Sequence, residues 1–290
     1  MTSKVHRVLL TWWLTQQVTG LTELAMLDMA PNAFDDQYEG CVEEMDEKAP
    51  QLLQEDFSMN EQLKLEWERA EQQWETIKNR RNYSEGFHDV HGIALVTYTG
   101  NLAKDFNRAV RAFKTNPANF YYKAFHYYLT RAPQLLSNQN CFTVYRGTKT
   151  KFNYREKGSV RFGQFASSTM AKSVALSPEF CSDRGTLFTI NTCLGVDIKD
   201  ISSFPREEEV LIPGYEVYQE VTITRNENGY NKISLASPQR KKSNFNCFYN
   251  GSTEIDICHL RSSGTGESRA FGLLEVMVCL LVPLLPPDEP

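Results

Sequence analysis

The chain has 290 residues, 41% apolar and 12% aromatic, enough to bury a substantial core within one large domain. Its net charge of -5 offers no footprint for nucleic acid, and the one compact basic run, Arg240-Lys241-Lys242, reads as a solvated loop. A nucleic-acid partner is therefore not expected.

At the start, Lys4, His6 and Arg7 precede the apolar stretch Val8 to Leu14, and a small residue, Gly20, closes the segment. That order matches a secretory signal peptide over residues 1–20, with cleavage near Gly20. The seven cysteines fit this route, because oxidised pairs persist outside the cell. Cys279 would leave with the C-terminal tail. Counting alone leaves the connectivity of Cys41, Cys141, Cys181, Cys193, Cys247 and Cys258 open. Asn82-Tyr83-Ser84 and Asn250-Gly251-Ser252 are sequons, so Asn82 and Asn250 are candidate glycosylation sites.

The first half reads helical. Ser58 followed by Glu61 has the form of a capping box, after which Leu63, Trp67, Ala70, Trp74 and Ile77 recur at helical spacing. A second helix fits Leu102, Phe106, Val110 and Phe113, and a third spans Phe120 to Leu136, with Pro117 marking the break between them. The second half reads as short strands over 142–145, 160–165, 186–190, 210–212, 217–224 and 232–235. Helices followed by strands imply an α+β domain in which a helical N-terminal half packs on a mainly antiparallel β-sheet core.

Three places carry chemistry. Arg146 ends a predicted strand beside Gly147, which lets backbone amides approach a ligand closely. Ser167 lies in the hydroxyl cluster Ser167-Ser168-Thr169. The acidic run Glu207-Glu208-Glu209 enters a short apolar strand. If this run is extended, Glu207 and Glu209 project together from an exposed loop. Two carboxylates on one face repel unless a cation or a developing positive charge sits between them. An arginine for phosphate, a hydroxyl to orient and a carboxylate for a cationic transition state together suit cleavage of a phosphorylated glycoside. His88 and His91 have ligand-like spacing with nothing else beside them, so no metal is expected.

At the far end, Phe271 to Leu285 is mostly apolar but short for a bilayer span, which needs roughly 20 residues. Ser262-Ser263-Gly264 and a polar spacer precede it, the pattern of a glycosylphosphatidylinositol (GPI) attachment signal, with Ser263 as the attachment point. Glu275 interrupts the tail.

This series of Arg146, Ser167 and Glu207-x-Glu209 resembles the arginine, serine, glutamate class of mono-ADP-ribosyltransferases. Longer stretches around Leu27 to Tyr38, Lys123 to Arg131 and Glu208 to Tyr218 resemble the vertebrate GPI-anchored arginine-specific ecto-enzymes, most closely their T-cell branch. The resemblance implies a catalytic domain over 21–262 with the ADP-ribosyltransferase fold, and a propeptide over 263–290 removed on anchoring. It implies NAD as co-substrate, no metal, arginine-bearing surface or secreted proteins as acceptors, and display on the outer face of the plasma membrane. Arg146 would hold the NAD phosphate and ribose, and Ser167 would orient Arg146 and the nicotinamide ribose. Glu209 would stabilise the oxocarbenium-like charge, while Glu207 would bind the acceptor guanidinium. Gly147, Tyr98 and Gln164 would lie near NAD, with Phe180 on nicotinamide and Phe204 on the target. Disulfides Cys41–Cys247 and Cys141–Cys193 are implied as well, leaving Cys181 and Cys258 unassigned. Two rival functions share these residues, an NAD glycohydrolase and a catalytically inactive surface recognition protein.

Overall fold

The computed structural model describes residues 24–250 apart from 139, 156, 227 and 228. The expected leader, Cys258, Ser263 and the apolar tail lie outside the described residues.

The chain opens with β1 (Leu24–Met26) and enters α1 (Val42–Met59), which buries Met45, Ala49, Leu52 and Leu53. Next comes α2 (Glu61–Ile77), which buries Leu63, Trp67, Ala70, Trp74 and Ile77, the stripe read from the sequence. Its cap differs from expectation. Ser58 belongs to the last turn of α1, where its hydroxyl donates to the Glu55 carbonyl at 2.7 Å. Asn60 leaves helical backbone between the two helices, and its side chain accepts from the Leu63 amide at 3.0 Å. An N-cap needs non-helical backbone, so position decides against Ser58.

In α3 (Asp89–Thr97) every residue from His91 to Thr97 is buried, so no one-sided stripe reveals it in the sequence. The two histidines shape its first turn: the His88 amide donates to His91 Nδ1 at 2.9 Å, and burial pushes the His91 pKa down to about 4. A π-turn, Tyr98–Leu102, leads into α4 (Ala103–Ala112). After the 3-10 turn Pro117–Asn119 comes α5 (Lys123–Leu136), which starts at Lys123 rather than Phe120.

The second half supplies β2 (Phe142–Thr148), β3 (Lys151–Asn153), β4 (Val160–Arg161), β5 (Ala166–Thr169), the short α6 (Lys172–Ala175), β6 (Thr186–Thr192), β7 (Val196–Asp197), β8 (Glu209–Ile212), β9 (Glu216–Thr224) and β10 (Asn231–Arg240). Eight strands join in the order β4-β9-β10-β6-β2-β5-β8-β7, and only β6 with β10 runs parallel. Separately, β1 pairs in parallel with β3. The strand expected over 160–165 contracts to β4, because Gly163 takes a left-handed turn, φ 69°. Side chains alternate across β8: Val210 and Ile212 join the sheet core with Val144, Phe188 and Ile233, while Leu211 joins the helical core. This is the expected α+β arrangement, with the helices on one side of a mainly antiparallel sheet.

Two ties close the domain. Cys41–Cys247 joins segments 206 residues apart, and Cys141–Cys193 joins the adjacent ends of β2 and β6, where Phe142 lies opposite Thr192. Beside the first tie, buried Arg161 meets Asp35 at 2.5 Å and donates to the Met29 and Ala30 carbonyls, while Asp35 accepts from the Asn244 and Phe245 amides. Pairing and hydrogen bonding on every side offset much of the cost of burying these charges. Cys181 is a buried free thiol.

Candidate active site

In the sheet order, β2, β5 and β8 are neighbours, which places Arg146, Ser167 and Glu209 on three adjacent strands. Between β2 and β5 the register holds one pair, Tyr145 opposite Thr169, whereas β5 and β8 pair along four residues. The first two strands therefore diverge. Arg146 bridges the gap with its side chain, its Nη1 donating to the Ser167 carbonyl. The expected contact thus runs through the Ser167 backbone. Arg146, Gly147, Ser167, Phe180, Glu207 and Glu209 line one small cleft. Arg146 and Gln164 also border a neighbouring cavity of about 450 Å³.

The acidic run is not extended. Pro205–Glu207 forms a 3-10 turn, and Glu208 takes the left-handed region at φ 47° before β8 begins with Glu209. Glu207 and Glu209 meet in the cleft because of that turn, not because of strand alternation. Nor is Glu209 an exposed loop residue, as it is 5% exposed and heads a strand. Burial raises its carboxyl pKa, while hydrogen bonds from Ser202 and Ser167 and the Arg146 guanidinium pull it back. Burial also raises the Glu207 carboxyl, and the charges of Glu209 and Glu179 push it further. Arg146 itself is lowered by desolvation, with Tyr98 and Glu209 opposing. The site therefore gathers a half-buried, desolvated guanidinium and two carboxyls whose charged forms burial disfavours, an arrangement suited to a ligand carrying both signs of charge.

Other sequence-predicted residues take varied places. Tyr98, 1% exposed, stands behind the cleft; its hydroxyl donates to the Phe165 carbonyl at 3.1 Å and accepts from Asn107 at 3.0 Å. It props the approach to the Ser167 strand from the helical layer through Phe165 and does not line the cleft. Gln164 carries a buried Oε1 without a hydrogen-bond partner, at the wall of the larger cavity. Phe204 is 53% exposed on the turn next to Glu207. Asn82 lies exposed in a loop, and half-buried Asn250 ends the described chain.

Ser202 did not stand out in the sequence. Its hydroxyl donates to Glu209 Oε2 at 2.6 Å, seven residues along, a spacing with no helical or strand signature. Ser203 anchors the same loop to the helical layer, its amide donating to Thr99 Oγ1 at 3.0 Å.

Gly147 is required by packing as well as by ligand access. A Cβ there would lie 1.9 Å from the Ala175 carbonyl oxygen on α6 and 3.0 Å from the Cys181 Cβ. Because the obstacle is backbone, Gly147→Ala is expected to cost about 1–3 kcal/mol in chemical denaturation. It should also displace β2 and with it Arg146; wild-type stability would refute this reading.

Among the described residues, no group of three or more His, Cys, Asp or Glu is placed to hold a metal ion.

Comparisons with known proteins agree with this architecture. The NAD:arginine ADP-ribosyltransferase family profile matches residues 27–243. The T-cell ecto-ADP-ribosyltransferase 2 of Mus musculus is 68% identical over 282 residues, covering 97% of either chain. The GPI-linked NAD(P)(+)--arginine ADP-ribosyltransferase 1 of the same species is 38% identical, covering 91% of this chain and 86% of that protein. The crystal structure of the eukaryotic mono-ADP-ribosyltransferase ART2.2 superposes with a TM-score of 0.75 at 66% identity, covering 78% of this chain and 99% of that one. With the same scores and coverage, mutants of that enzyme have been solved in complex with NADH and with NAD. The chain belongs to the NAD:arginine ADP-ribosyltransferase family.

Proposed function

We propose that this protein cleaves NAD at the bond between nicotinamide and ribose and transfers the ADP-ribose to arginine side chains of cell-surface or secreted proteins. The observation that carries the reading is the convergence of Arg146, Glu207 and Glu209 in one cleft.

The residues divide the work by charge. Arg146, a desolvated guanidinium at the junction of the cleft and the larger cavity, suits the phosphate and ribose of NAD. Gln164, with its unpartnered buried oxygen, offers an acceptor at the same wall. Gly147 and Phe180 frame the space for nicotinamide, by backbone contact and by ring stacking. When the glycosidic bond breaks, its electron pair leaves with nicotinamide and positive charge grows on the ribose. Glu209, ionised and held by Ser202, faces that charge. Glu207 binds the acceptor guanidinium beside it, aims one nitrogen at the ribose carbon, and receives its proton late, because guanidinium is hard to deprotonate. Phe204, exposed next to Glu207, is placed to touch the acceptor protein.

Water in place of arginine would make the same site an NAD glycohydrolase, which we assign as a side activity. A second carboxylate at position 207 favours transfer, since water needs no cation-binding partner. An inactive recognition protein would have no need to keep two repelling carboxylates in one cleft. Incubation with NAD and agmatine separates the three readings: ADP-ribosyl-agmatine supports transfer, free ADP-ribose alone supports hydrolysis, and unchanged NAD refutes both.

The same proposal includes the chain limits. A leader over 1–20 and a tail over 263–290 flank the catalytic domain 21–262, and a lipid anchor at Ser263 replaces the tail. That relatives are an ecto-ADP-ribosyltransferase and a GPI-linked arginine ADP-ribosyltransferase supports this placement. Phosphatidylinositol-specific phospholipase C is then expected to release most of the protein from intact cells. Retention on the cell with an intact C-terminal peptide would remove the anchor from the proposal.

A further inference from the structure

Glu209 owes its position to a residue outside the expected catalytic set. Ser202 is 2% exposed and stands in the loop between β7 and the 3-10 turn. Its hydroxyl has one proton, donated to Glu209 Oε2 at 2.6 Å, and its oxygen accepts from the Phe204 amide at 3.1 Å. The serine is itself fixed by backbone: its amide donates to the Ile198 carbonyl at 2.8 Å, and the Ile198 amide donates to the Glu209 carbonyl at 2.9 Å. One small closed circuit thus contains the carboxylate that faces NAD and the start of the turn that carries Glu207.

We propose that Ser202 is a positioning residue which holds Glu209 ionised and aimed at the ribose, and which ties that carboxylate to the turn presenting Glu207. The inference rests on the role proposed for Glu209. A hydroxyl that donates to a carboxylate favours its charged form, and 2.6 Å lies in the range of such bonds. The same donation orients the serine lone pair toward the Phe204 amide, so the turn and the carboxylate are held in one arrangement. Glu209 also faces Arg146 from β2, Ser167 from β5, Tyr98 from the helical layer and Glu207 from its own loop. Of these, Arg146 and Ser167 favour its charge and Glu207 opposes it, so loss of Ser202 removes one of three supports.

The test is nicotinamide release from NAD as a function of pH, with thermal unfolding alongside. For Ser202→Ala, kcat is expected to fall by about ten- to a hundredfold, the loss that one hydrogen bond to a charged group brings. KM for NAD should stay within about threefold, and the acid limb of the kcat profile should move up by about one pH unit. Ser202→Thr, which keeps the donor, should bring the limb back toward wild type. Ser203→Ala, whose hydroxyl lies against Thr99 and Gln73 and not Glu209, should leave the limb in place. An acid limb in Ser202→Ala that coincides with wild type overturns the proposal, whatever happens to kcat, because a merely structural serine would lower activity without moving it. If the alanine chain does not fold, Ser202→Cys, nearly the same size and a weaker donor, must show the upward displacement, and a coincident limb there overturns the proposal equally. A wild type that releases no nicotinamide refutes the proposed function instead. The contact is then read from the Glu209 carboxyl titration by NMR, which Ser202→Ala must move upward.

Discussion

Replacing Glu209 by Gln is expected to reduce nicotinamide release and arginine transfer together, by at least about a hundredfold, equivalent to roughly 2.7 kcal/mol or more of transition-state stabilisation. The substitution keeps shape and removes charge, so the loss isolates the electrostatic role. Stability should not suffer. Glu209 is buried and its carboxyl is raised by desolvation, so at neutral pH the folded chain bears the cost of an ionised group that glutamine does not impose. Its amide oxygen can still accept from Ser202. The melting temperature should therefore match or exceed that of wild type. In the wild type, activity requires the ionised form, so as pH falls it should be lost at a higher pH than an ordinary glutamate would dictate. Nicotinamide release above about a tenth of wild type in Glu209→Gln would show that the charge is not what breaks the glycosidic bond.

The second large effect should separate transfer from hydrolysis. In Glu207→Gln the acceptor guanidinium loses a charge-assisted partner worth on the order of 1.5–3 kcal/mol, so transfer to agmatine should fall by at least about tenfold. Hydrolysis of NAD should persist within about threefold, because Arg146, Ser167 and Glu209 still surround the nucleotide. The structure adds a reason for that persistence, since Glu207 is a source of repulsion in the cleft and its removal leaves Glu209 no less ionised. Parallel measurement of labelled agmatine and free nicotinamide decides it. An equal fall in both would mean that the two carboxylates act as one unit, and the division of labour would fail.

Much of this arrangement was legible in the chain itself. The stripe from Leu63 to Ile77, the break at Pro117 and the short strands of the second half follow from local periodicity and turn chemistry, which need no partner to be read. Of the residues lining the cleft, Arg146, Gly147, Ser167, Phe180, Glu207 and Glu209 are singled out in the sequence by charge type, order and resemblance, whereas Tyr145, Val174 and Ala175 are not. The elements that go unread do not share one cause: α1 buries one face and is still not named, whereas two others lack a one-sided pattern. α3 is buried all round and β5 is rich in hydroxyls, so neither shows the amphipathic signal on which a sequence reading depends. Likewise Ser58 and Asn60 are both fit to cap a helix, and only the path of the backbone chooses between them.

What the sequence by itself determined, then, is which charges and which apolar faces are available. Tertiary structure decided how they meet. It set the β2, β5, β8 neighbourhood and the divergence that lets Arg146 reach the Ser167 carbonyl. It also set the left-handed turn at Glu208 that brings two carboxylates together, and the burial that turns Glu209 from a surface acid into a strained one. Tyr98 and Ser202 acquire their places behind Arg146 and Glu209 in the same way. The physical reason is that propensity and periodicity are local, whereas strand order, desolvation and a hydrogen bond between loop and strand depend on parts of the chain that become neighbours only when the whole core closes.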